Sequence, residues 1–79
     1  MEPIKIDGVS IVGMRLHTLA LGAGIIEAWE PAKAWSREHD AYWVQFGDPD
    51  RPWAERAKDR RLIEAPGILR SIEVGLVTM

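Results

Sequence analysis

Four tryptophans and a run of arginines are the side chains in this sequence best suited to recognition chemistry. Trp29, Trp35, Trp43 and Trp53 fall among 79 residues, and Arg51, Arg56, Lys58, Arg60 and Arg61 form the only basic cluster. Trp and Arg are enriched in binding hot spots, where a large, stiff or forked side chain fills a desolvated pocket. A core this small accommodates about one or two indoles while finding partners for their N–H groups. Trp43, central in an expected strand, is assigned to the core, with Trp29 as its companion. Trp35 and Trp53 then fall on expected helices beside Arg37 and Arg56, half exposed. The candidate partner-contact residues are Trp35, Arg51, Trp53, Arg56 and Arg60. On a helix Arg56 and Arg60 share one side, whereas Lys58 and Arg61 point elsewhere. Glu55 and Asp59 interleave with them, so weak i,i+3 pairs, Glu55–Lys58 and Arg56–Asp59, are expected on a solvated face.

Catalytic patterns are sparse. A site needs a nucleophile or base, a group that orients it and a stabiliser for developing charge. His17 and His39 are the candidate bases, and only His39 has immediate acidic neighbours, in Glu38-His39-Asp40. Neighbours in a helix point about 100° apart, so adjacency makes no dyad there. His17 reads as a packing or surface residue at the end of an apolar strand. Ser10, Ser36 and Ser71 lack a Gly-x-Ser-x-Gly setting, and Gly22-Ala23-Gly24 lacks the third glycine of a dinucleotide loop. Asp48 and Asp50 flank Pro49 without the remaining ligands of a calcium loop, so they read as a turn. No catalytic, cofactor or metal residue is assigned. The one constellation with enzymatic meaning is His39, Tyr42 and Arg60, which a small nucleic-acid-acting toxin could use.

Composition narrows the class. Hydrophobic residues make up 47% and charged residues 28%, enough apolar material for one modest core. The net charge of −2 argues against a dedicated nucleic-acid binder, and with no cysteine there is no disulfide, zinc ribbon or thiol nucleophile. The start of the chain has no basic region followed by an apolar one, and the longest uncharged run, Leu16–Ile26, is too short to span a bilayer as a helix. A cytoplasmic location, without membrane contact, is the expectation.

These side chains must be held by a single domain, 1–79. Asp7-Gly8 between Pro3–Ile6 and Val9–Val12 predicts a hairpin with a type I′ turn. Its second strand is expected to continue through Met14 and Leu16, with Gly13 as a bulge. Gly22-Ala23-Gly24 predicts a turn followed by a strand over Ile25–Trp29, because glycine is poorly suited to a helix. Pro31 fits the first turn of a short helix reaching His39. Ala41–Phe46 predicts a strand with Tyr42, Val44 and Phe46 on one face and Trp43 and Gln45 on the other. After a loop over Gly47–Pro52, Asp50 is the expected cap of a helix reaching about Arg61. Ala65-Pro66-Gly67 is read as a turn and Ile68–Met79 as a closing strand, although Ile68, Leu69, Ile72 and Leu76 also satisfy helical spacing. The fold class is α+β, about four mostly antiparallel strands with one or two short helices.

In size, freedom from cysteine and lack of cofactor motifs, the chain resembles small phage-encoded anti-CRISPR and related anti-defence proteins, a group without a common sequence pattern. Seven arginines against three lysines, and no asparagine, fit the GC-rich coding of a bacterium or its phage. The resemblance implies a non-enzymatic inhibitor that covers a surface of a bacterial protein complex, such as a type I CRISPR effector subunit. It carries no residue across, and it implies no cofactor and no sequence-specific nucleic-acid contact. The other reading is a phage or prophage accessory protein that oligomerises through the edge of the strand over Ile68–Met79.

Overall fold

The computed structural model describes residues 3–33, 35, 37–47 and 50–79. Asp7-Gly8 forms the expected turn: both residues have positive φ, 51° and 80°, and they join β1 (Lys5–Ile6) to β2 (Val9–Ser10). The second strand does not run on to Leu16. Gly13, at φ 99°, turns the chain, Met14 N–H bonds Ile11 C=O at 3.0 Å, and β3 (Arg15–Thr18) starts in a new direction. This break drops Ile11 and Met14 into the core.

The glycines after β3 also act differently from the expectation. The turn lies at Leu19–Leu21, where Thr18 Oγ1 accepts from Leu21 N–H at 3.0 Å and donates to Gly22 C=O at 2.9 Å. Strand β4 already runs from Gly22 to Glu30. Gly24 is a strand residue because of packing: a Cβ there would stand 2.7 Å from Phe46 Cδ1 and 2.8 Å from Val44 Cγ1.

Strand β5 (Ala41–Phe46) matches its prediction, and β6 (Arg60–Glu64) and β7 (Val77–Thr78) complete an antiparallel sheet ordered β6-β5-β4-β3-β7. Between β5 and β6 the expected helix to Arg61 is short. Helix α1 covers Trp53–Arg56 with Pro52, not Asp50, at its cap position, and a 3-10 turn covers Ala57–Asp59. Arg60 has extended backbone because it must pair with Gln45 of β5. Asp48 and Pro49, in the turn before it, lie outside the described residues.

Two further elements correct the sequence reading. No helix forms over the described part of Pro31–His39. Asp40 Oδ1 accepts from Ala32 N–H at 2.7 Å, folding the connection back on itself, and only Arg37 N–H to Lys33 C=O, 3.2 Å, is helix-like. Ala34 and Ser36 lie outside the described residues. At the other end, Ala65–Glu73 is helix α2, not turn and strand. Pro66 suits its first turn, the spacing of Ile68 and Ile72 presents an apolar stripe, and Gly75 (φ 78°) ends it. Leu76 N–H bonds Ser71 C=O and Gly75 N–H bonds Ile72 C=O, at 2.8 and 3.1 Å, which is a Schellman cap. The closing strand shrinks to Val77–Thr78.

The core comprises Ile11, Met14, Leu16, Ile26, Tyr42, Val44, Phe46 and Ile68, with Trp29 and Ile63 packed against it. It fills the space between one sheet face and the cover formed by the N-terminal hairpin and α2. Each fully buried aliphatic side chain contributes about 1.5–3 kcal/mol. The fold is a small α+β domain, with seven strands among the described residues where about four were expected. Trp43 is not in this core: strand alternation places it on the opposite sheet face.

Candidate interaction face

The second face of the sheet carries the side chains that could recognise a partner. Register and alternation put Arg15 and His17 of β3, Ile25 and Glu27 of β4, Trp43 and Gln45 of β5, and Arg60 and Leu62 of β6 on this side. A bulge between Ile26 and Ala28 keeps Trp29 on the core side while Ala28 sits beside Trp43.

Arg60 organises the face. Its guanidinium carbon lies 4.5 Å from the centroid of the Trp43 ring and 5.8 Å from that of Trp53. Arg60 Nε donates to Glu27 Oε1 at 3.1 Å, so the side chain crosses β5 from β6 to β4. Arg56, one helical turn after Trp53, places its guanidinium carbon 5.5 Å from the Trp53 centroid. The result is an alternating series, Trp43–Arg60–Trp53–Arg56, in which each cation lies against an indole. Trp53, the second indole of this series, is 57% exposed.

Gln45 fixes this arrangement from below. It is only 4% exposed, and its Nε2 donates to the carbonyls of Phe46 and Arg56, both at 2.8 Å. The second bond ties α1 to β5. With both amide hydrogens taken by carbonyls, Gln45 Oε1 is left as a buried acceptor without a hydrogen bond, and Arg56 Nε is a buried donor without one. A cleft of about 230 Å³ opens next to Gln45, lined by Arg15, Ala23, Gly24, Ile25 and Gly47. Arg15 forms no ion pair or hydrogen bond through its side chain among the described residues. The face therefore presents three guanidinium groups, Arg15, Arg56 and Arg60, with the carboxylate of Glu27 paired to Arg60 and that of Asp59 beside Gly47, on a chain whose net charge is −2.

Of the five contact residues expected from sequence, Trp53, Arg56 and Arg60 come together, and Arg51 lies exposed on the approach to α1. Trp35 does not join them. It is 84% exposed in the connection that leads into β5, whereas Trp53 follows the strand's other end, and six extended residues span about 20 Å. Arg37, its expected companion, is instead directed at Glu30, 3.9 Å from its carboxylate, and at the carbonyls of Glu30, Pro31 and His39. The expected Glu55–Lys58 and Arg56–Asp59 pairs do not form among the described residues, since the chain leaves α-helical geometry after Arg56. Trp43 and Glu27 were missed as site residues. The alternation of β5 placed Trp43 opposite Tyr42, but its position over a core or a working face depends on which side α2 covers.

The set His39, Tyr42 and Arg60 is not assembled. Tyr42 is fully buried on the core side, while Arg60 lies on the opposite face. The Tyr42 hydroxyl accepts from Ile4 N–H at 2.7 Å. Burial raises its pKa, the Ile4 bond lowers it and the nearby Asp40 charge raises it, for a net upward shift. His17 Nε2 lies 2.9 Å from Thr78 Oγ1, linking β3 to β7. Among the described residues no group of three His, Asp or Glu side chains could hold a metal ion, and no helix is long and apolar enough to cross a membrane.

Comparison with protein-family models, with curated proteins and with solved structures returns no match to this chain.

Proposed function

We propose that the protein is a non-enzymatic binding module whose Trp53-centred face docks on an acidic surface of a partner protein and covers it. The observation that carries this reading is the Trp43–Arg60–Trp53–Arg56 series, ordered before any partner arrives and containing a 57% exposed indole, Trp53. Preordering matters because association is penalised by each rotamer-rich side chain that must be immobilised. An indole flanked by guanidinium groups supplies both an apolar anchor and charge-assisted donors, the composition of a hot spot. A standard interface takes about 800 Å² from each partner, a large share of a chain whose whole accessible surface is 5422 Å². A bound partner surface would be shielded from nucleic acid or from a nuclease subunit, as an inhibitor of a bacterial defence complex requires.

The test is capture of partners from a bacterial lysate on immobilised wild-type chain and on folded Trp53→Ala, with and without nuclease. A protein retained by the wild type after nuclease, and bound at least about 30-fold more weakly by Trp53→Ala, is the expected result. Equal retention by both chains refutes the assignment, and retention that nuclease abolishes replaces the protein partner with a nucleic acid.

A further inference from the structure

We infer that the outer edge of β6 is a self-complementary pairing site that joins two copies of this chain in an antiparallel dimer. The geometry begins with parity. Ala65 N–H bonds Asp40 C=O at 2.8 Å, and these two residues continue the β5–β6 register of Ala41↔Glu64. In an antiparallel ladder hydrogen-bonded and non-hydrogen-bonded pairs alternate, so Ile63 and Arg61 turn their backbone groups inward to β5 as Ala65 does. Arg60, Leu62 and Glu64 therefore present N–H and C=O to the outside. Arg61 Nη1 reaches the Arg60 carbonyl at 3.1 Å, which is consistent with that carbonyl being free of β5. Among the described residues no other strand pairs with this edge.

A second copy fits this edge in one favoured register. Laid antiparallel about Leu62, Leu62 meets Leu62 of the second copy, and Arg60 meets Glu64 of the second copy at both ends. All three pairs involve outward-facing backbone, so about six inter-chain hydrogen bonds form. Residues of opposite charge face each other in the ladder at both ends, and because the Arg60 guanidinium is turned across β5 to Glu27, Glu64 of the second copy attracts it through space without a direct ion pair. Shifting the register by two residues loses one pair and sets Arg60 or Glu64 against Leu62. The two-fold relation makes the contact isologous and closed, which stops growth at two chains. The interface is small, so the dimer is concentration-dependent. Arg61 moderates it, because its guanidinium occupies the Arg60 carbonyl and also takes Lys58 C=O at 2.6 Å. Edge strands are commonly blunted by such charged side chains.

Sedimentation equilibrium from about 10 µM to 1 mM tests the proposal, a range suited to a weak, small interface. The wild-type mass should rise with concentration toward twice the 8.9 kDa of one chain. Glu64→Lys, an exposed position, places like charges opposite each other twice and should weaken association about tenfold or more. Arg61→Ala frees the Arg60 carbonyl and should strengthen it. As concentration rises, the amides of Arg60, Leu62 and Glu64 should become slow to exchange, while those of Arg61 and Ile63 are protected throughout. A wild-type chain that stays at monomer mass, or a dimer indifferent to both substitutions, overturns the proposal. Trp53→Ala leaves this edge intact, so loss of partner capture and loss of the dimer are separate results.

Discussion

Replacing Arg60 by methionine tests whether the interaction face is held by its cation. Methionine keeps an unbranched apolar stem above Trp43 and removes only the guanidinium. Three contacts leave with it, the stack on Trp43 at 4.5 Å, the longer and weaker approach to Trp53 at 5.8 Å, and the ion pair with Glu27 at 3.1 Å. The Arg60 and Glu27 side chains are 25% and 32% exposed. The stack is thus partly desolvated and contributes about 1 kcal/mol, between the exposed and fully desolvated cases. The ion pair, still reached by solvent, adds about 0.5 kcal/mol at most. The expected loss is therefore about 1.5 kcal/mol, or a fall in Tm of roughly 6–12 °C for a domain of this size. Urea unfolding followed by circular dichroism measures it, in a double-mutant cycle with Trp43→Leu and a second with Glu27→Gln. The Arg60–Trp43 coupling should reach about 1 kcal/mol and persist in high salt, whereas the Arg60–Glu27 coupling should fade as screening grows. A Trp43 coupling below about 0.3 kcal/mol refutes the reasoning, because the stack would then be a proximity without energy.

Gly24→Ala should destabilise the fold by about 1–3 kcal/mol, the usual result of overpacking, since its Cβ meets Phe46 and Val44 at 2.7–2.8 Å. Val44→Ala in the same chain should recover part of that loss relative to the sum of the single variants, and a strictly additive pair would count against the clash. Tyr42→Phe removes the acceptor of Ile4 N–H and should cost about 1–2 kcal/mol, with faster amide exchange across the N-terminal hairpin as the local readout. Because burial holds the Tyr42 pKa above its ordinary value of 10.0, the folded chain keeps that proton longer than the unfolded chain. Its contribution to stability is complete below about pH 10 and is lost as pH rises through the raised value. Urea midpoints measured from neutral to alkaline pH should fall more steeply for the wild type than for Tyr42→Phe.

Local chemistry was legible in the sequence, and long-range choice was not. Asp7-Gly8 could hardly be anything but a hairpin turn, and the alternation of Ala41–Phe46 gave both faces of β5 correctly. Gly24 misled because its role, leaving room for Phe46, lies across the sheet and not in its own backbone. Ile68–Met79 satisfied two periods at once. Pro66 and Gly75, a start and a stop, favour the helix, and the sheet needed only Val77–Thr78 to complete its edge. Trp53 and Arg56 fall together because the expected helix runs as far as Arg56, whereas Arg60 joins them from β6 and not from the helix side that its spacing to Arg56 suggested. Trp43 joined them instead of the core because α2, once helical, covers the other side of the sheet.

That outcome divides labour between the two sides of β5, and Arg60 divides it again within one residue. Tyr42, Val44 and Phe46 hold the core, so their substitution registers first in stability. Trp43 and Gln45 hold the opposite face, where Gln45 anchors α1 and Trp43 carries Arg60. The Arg60 side chain belongs to that face, while its backbone N–H and C=O belong to the outer edge of β6. Arg60→Met should therefore weaken partner capture through loss of the ordered series, yet retain the backbone ladder of the dimer and lose only the through-space attraction of its charge to Glu64 of the second copy. Glu64→Lys should do the reverse, reducing the dimer while leaving the Trp43–Arg60–Trp53–Arg56 series in place. If both substitutions moved both properties equally, side chain and backbone would not be separable here, and the edge and the face would have to be treated as one surface.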